Sequence, residues 1–173
     1  MLVCGCAPGE GEVFITHLDL WCVMTDETHE PGGQLASGIA AFEEKDFGRA
    51  WQILEPLSDA GVPHAQYRCA IMIQHGLGTI ARQGAAAKLM RAAADQELDL
   101  AQHSMGVMYL FGEGVERDSA QAVRWLELAG ANGLAGAWST LGMIFAEGQG
   151  VEKDLQRARA CYTKAGFDPD KIP

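Results

Sequence analysis

A period of 36 residues constrains this chain more than any other feature. Ala65, Ala101 and Ala137 each open a block, and the blocks begin AQYRCAIMIQHGLG, AQHSMGVMYLFGEG and AWSTLGMIFAEGQG. Gly76, Gly112 and Gly148 fall in register, as do Gly78, Gly114 and Gly150. Further along, Ala86, Ala122 and Ala158 match, and so do Ala93, Ala129 and Ala165; Ala50 continues the series upstream. A segment recurring at this period is one supersecondary unit stacked on its copies, because a single copy cannot bury its own apolar face.

Each block divides into two helices. In the first, apolar or small residues take block positions 1, 5, 8, 9 and 12, the spacing of a helical face. The glycine pair ends it, where left-handed backbone is cheap only without a Cβ. Asp118 and Asp154 stand where the next helix needs an N-cap, and Asp118 with Gln121 has capping-box spacing. The second helix presents Ala122, Trp125, Leu126 and Ala129 on one face, and Gly133 turns the chain towards Ala137. Gly106 and Gly142 leave room for a neighbouring helix, and Trp125 is expected to fill that space from the other side. Leu89 and Cys161 hold the position of Trp125 in the other blocks. Cys161, and Cys69 in register with Met105 and Leu141, read as buried small hydrophobes.

The block from Ala101 has the form A-x-x-x-M-G-x-x-Y-x-x-G-x-G-V-x-x-D, followed by A-x-x-W and A-x-x-x-G. It resembles the Sel-1-like repeat, a relative of the tetratricopeptide repeat. The match is close over 101–136, good over 137–166 apart from Arg159 and Cys161, and weaker over 65–100. That weaker block has Ala70 for the glycine, Thr79 for the valine and Arg82 for the aspartate, so its inter-helix turn is expected to be irregular. The organisation expected is an acidic segment over 1–34 and a repeat domain over 35–173. The domain opens with a helix pair over 35–64 and continues as repeats over 65–100, 101–136 and 137–173. The resemblance implies an all-α fold, an α/α right-handed superhelix of helix-turn-helix repeats acting as a protein-interaction scaffold.

Charge separates the two parts. The net charge is −10, yet residues 1–44 hold eight acids and no Lys or Arg, which argues against nucleic acid as a partner. No basic region precedes the apolar stretch Val13–Met24, and His17 and Asp19 interrupt it. It is too short to span a bilayer, which takes roughly 20 apolar residues. A cytoplasmic protein with no membrane span is therefore expected. Val13–Met24 either packs on the first helix pair or precedes a native start at Met24. Residues 25–34, TDETHEPGGQ, are polar and turn-rich and read as poorly ordered or a linker.

The residues offer little chemistry. Gly112-Glu113-Gly114 is not a dinucleotide fingerprint, which needs a preceding strand and a third glycine where this chain has Arg117. His75 and His103 would lie about 12 Å apart along adjacent helices, too far for one ion. His64 is placed in a turn, and His17 and His29 in the N-terminal segment. Glu113, Glu116, Glu147 and Glu152 read as solvated loop charge. The five cysteines form no C-x-x-C, and none has a plausible basic partner nearby in sequence to activate it as a nucleophile. No catalytic residue, cofactor or metal is expected, and the chain is not read as an enzyme.

The binding surface is placed on block positions 4, 8 and 11 of the first helices. These are Arg68, Met72 and His75; Ser104, Met108 and Phe111; and Thr140, Ile144 and Glu147. Either they line one groove, apolar in the middle, basic at one end and acidic at the other, or they bury against the adjacent helix pair. The leading function is a non-catalytic adaptor binding a protein or peptide on the concave face. A homodimer through the exposed C-terminal repeat end is the self-association considered. The alternative is a small regulatory or immunity-type protein acting through its acidic N-terminal segment. A secreted hydrolase-like relative is a third reading, against which the missing cysteine pairs within each repeat count.

Overall fold

Eight helices, and no strand, make up residues 31–168, the part of the chain that the computed structural model describes. They are α1 (Pro31–Glu43), α2 (Phe47–Asp59), α3 (Pro63–His75), α4 (Gln83–Ala94), α5 (Asp99–Phe111), α6 (Ser119–Ala131), α7 (Ala135–Glu147) and α8 (Leu155–Lys164). Each packs on the next in sequence, the arrangement of an all-α superhelix. Residues 1–30, with the stretch Val13–Met24, lie outside the described residues.

Two boundaries differ from the expectation. The chain is already helical at Pro31, so residues 31–34 form the first turn of α1 and not a linker. Pro63 likewise starts α3, which places His64 on a helix and not in a turn. Proline is suited to a first helical position, where its missing N–H has no intrahelical partner to lose.

Three successive clusters form the core, each shared between neighbouring repeats. Leu54, Cys69 and Met72 belong to the first. Met90, Met105, Met108 and Trp125 belong to the second, and Leu126, Leu141, Ile144, Phe145 and Cys161 to the third. Nearly half of the buried apolar residues are alanines, which bring helix axes close but contribute little apolar area. Stability therefore rests on the few large side chains, each contributing about 1.5–3 kcal/mol when fully buried.

Gly106 and Gly142 do leave room for a neighbour, but Trp125 is not what enters it. A Cβ on Gly106 would lie 2.6 Å from Leu126 Cγ, and one on Gly142 would lie 2.6 Å from the Tyr162 ring. Leu126 and Tyr162 are 36 residues apart, so the same contact recurs in the second and third repeats. Trp125, one residue earlier, turns instead towards the preceding repeat and packs among α4 and α5 residues.

The turn of the weakest block is regular. Arg82, Asp118 and Asp154 donate their amides to Ile73, Tyr109 and Phe145 carbonyls at 3.1, 3.0 and 2.9 Å, the same bond three times. Backbone bonds shape the loop, so Thr79 and Arg82 leave it intact. What Arg82 lacks is the cap: Asp118 accepts from the Ala120 and Gln121 amides at 2.9 and 3.0 Å, whereas α4 has no side-chain cap. The Asp118 amide is itself taken by Tyr109, so the return half of a capping box is absent. Arg82→Asp should therefore stabilise the protein by about 1 kcal/mol. A raised urea midpoint at unchanged slope would register it, and an unmoved midpoint would refute it.

Candidate functional site

The first helices expose a row of side chains that keeps positions 4 and 11 of the nine residues considered and leaves position 8 to the core. Met72, Met108 and Ile144, at block position 8, are 0%, 2% and 0% exposed and belong to the core. At about 100° per residue, position 8 falls only ~20° from position 1, so it shares the buried face of Ala65, Ala101 and Ala137. Positions 4 and 11 are half-buried or exposed, and position 7 completes their row. The outward face thus carries Arg68, Ile71 and His75; Ser104, Val107 and Phe111; and Thr140, Met143 and Glu147. Phe111 is 61% exposed and Met143 39%.

Neighbouring repeats hold parts of this row in place. Arg68 donates from Nη1 to the His64 carbonyl at 3.3 Å, and its guanidinium lies 6.0 Å from the Phe42 ring centroid. Burial lowers the Arg68 pKa from its ordinary value, and Glu43 partly opposes this. Thr140 lies 3.2 Å from His103 Nε2, joining α7 to α5, and burial pushes the His103 pKa down. Gln74 donates to Glu113 at 2.9 Å, joining α3 to the loop after α5.

Both described thiols are held in the protonated form. Burial pushes Cys69 up to about 11 and also raises Cys161, where Lys164 and Arg157 partly oppose it. Among the described residues no three His, Cys, Asp or Glu side chains converge to hold a metal ion. No described helix is long and apolar enough to cross a membrane.

A second feature was not anticipated. A solvent-open groove of about 700 Å³ runs between α6 and α8, floored by Trp138 and Phe145 of α7. Gly130 makes the floor: a Cβ there would lie 2.5 Å from Trp138 Cε2, and its bare carbonyl accepts from the indole N–H at 2.9 Å. Arg157 lies 3.9 Å above the Phe145 ring and 3.8 Å from Glu127, and Lys164 lies 4.1 Å above Trp138. Arg124 and Cys161 also line it. The signal in the sequence is Cys161 at the position of Trp125, a small residue where the preceding repeat has an indole.

The chain matches a family model described as Sel1 repeat over residues 63–98, 99–134 and 141–166. Among curated proteins none matches. Two solved structures are similar. A Sel1 repeat protein from Oxalobacter formigenes is 29% identical, with a TM-score of 0.77, over 85% of this chain and 62% of that one. The protective antigen c5321, present in uropathogenic Escherichia coli strains and displaying an SLR fold, is 30% identical, with a TM-score of 0.74. That likeness covers 85% of this chain and 32% of the antigen, so this chain spans less than two thirds of either protein. The Sel1 repeat is generally a non-catalytic scaffold fold and commonly mediates protein–protein interaction. With more than half of its residues matched as three such repeats, the chain belongs to the Sel1 repeat family.

Proposed function

We propose that this chain is a non-catalytic adaptor that binds a protein or peptide through the outward row of its first helices, on the concave side of the superhelix. The observation that carries the reading is the apolar centre of that row. Val107, Phe111 and Met143 are exposed or half-exposed, whereas Met105, Met108, Leu110, Leu141, Ile144 and Phe145 of the same helices are buried. An apolar row with a cation at one end and a carboxylate at the other suits a peptide of matching polarity. Arg68 and Glu147 supply those ends.

Replacing Phe111 and Met143 together by Ser should abolish capture of the co-purifying partner. Because both side chains face solvent, stability should change by less than about 1 kcal/mol. Removal of residues 1–30 should leave capture unchanged if the helices carry recognition. Retention of the partner by the double variant, or its loss with residues 1–30, would overturn the reading.

A further inference from the structure

The groove between α6 and α8 has an internal template, and the template indicates its guest. Thirty-six residues earlier, the equivalent groove between α4 and α6 is filled by the chain itself. There Trp125 packs with Met90, Met105 and Met108, and the Arg91 guanidinium lies 5.8 Å from the indole and 5.6 Å from the Tyr109 ring. Arg91 also donates to the Tyr109 hydroxyl. In the groove between α6 and α8 the same scaffold position carries Cys161, whose side chain ends at a single sulfur. Phe145 replaces Tyr109 and Trp138 replaces Gln102, so the floor becomes more aromatic while the plug is lost. Glu127 replaces Arg91, but cations return from the facing wall as Arg157 and Lys164, each stacked on a floor ring.

We propose that this groove is a docking site for an aromatic side chain, best an indole, presented by an acidic peptide of a partner protein. The indole enters the volume that Trp125 occupies one repeat earlier. It meets the cations stacked on the floor rings, and the Trp138 N–H makes no demand on it, being already bonded to Gly130. Carboxylates beside the guest pair with Arg124, Arg157 and Lys164, which outnumber Glu127 three to one around the groove. In a chain of net charge −10 this local excess of cations selects acidic over basic flanks. None of the nine residues of the first-helix row lines the groove, so the two surfaces can fail independently.

Calorimetric titration of the full chain with three pentapeptides tests the assignment: Trp between two pairs of Glu, Ala between the same pairs, and Trp between two pairs of Lys. The first should bind, and each of the others should bind at least about tenfold more weakly. Cys161→Trp should plug the groove as Trp125 plugs its own, removing binding while the melting temperature holds or rises. Should that variant fail to fold, Arg124→Glu with Lys164→Glu should give the same loss of binding at unchanged helicity. Equal affinity for the three peptides, no binding of the first, or full affinity in a folded charge-reversed variant would overturn the proposal. So would a dimer in sedimentation that Cys161→Trp dissociates, because the groove would then hold a second copy.

Discussion

Trp125→Ala should cost ~3–5 kcal/mol of unfolding free energy, the largest loss expected from any single truncation in the array. The indole is 9% exposed and joins residues of three successive helices, α4, α5 and α6. Its removal leaves Arg91 without one of its two stacked rings. Of its neighbours Ala87, Ala93 and Ala94 are too small to fill the space, and Met90, Met105 and Met108 can fill it only in part. Cys161→Ala, at the equivalent position, is the control and should cost about 1 kcal/mol, since it removes one sulfur beside a groove that is already open. Equal losses at the two positions in urea unfolding would show that Trp125 does not bind the repeats together.

Gly114→Ala should also destabilise strongly, by about 3 kcal/mol, and more than Gly112→Ala. Both glycines have left-handed backbone, with φ of 70° and 77°, so both substitutions carry a strain of about 1–2 kcal/mol. They differ in what a methyl group would meet. At Gly112 the nearest atom is the Arg117 Cβ at 3.4 Å, an ordinary contact. At Gly114 the methyl would run into the carbonyl of Gln83, the first residue of α4, adding the cost of overpacking against backbone. Gly78 meets Phe47, the first residue of α2, and Gly150 meets Ser119, the first residue of α6. The second glycine of each pair thus seats a loop on the second helix of the repeat before it. If Gly112→Ala proved the more costly, conformational strain alone would explain the pair.

The repeat made most of the fold legible. Period fixed the number of helices after the opening pair, and the glycine pairs fixed where the first helices end. Apolar spacing identified Ala65, Cys69 and their counterparts as core. Whether positions 4, 8 and 11 line a groove or bury stays open in the sequence, because they share a helical face broadly and the boundary between core and solvent runs through that face. Met108 lies on the buried side of it and Val107 on the open side, although Met and Val are equally apolar. Only packing separates them. The turn after α3 was misjudged for a related reason: its shape comes from backbone bonds, which the identities of Thr79 and Arg82 do not report. The groove between α6 and α8 was hidden because a small residue at a core position reads the same whether the space around it closes or stays open.

Thiol labelling of Val107→Cys and Met108→Cys, located by peptide mass mapping, tests the central claim with and without the co-purified partner. Val107→Cys should label quickly in the free protein and slowly in the complex, whereas Met108→Cys should label slowly in both. Fast labelling of Val107→Cys that the bound partner leaves unchanged would contradict recognition through the first helices, and fast labelling of Met108→Cys in a folded protein would contradict the helix phase itself.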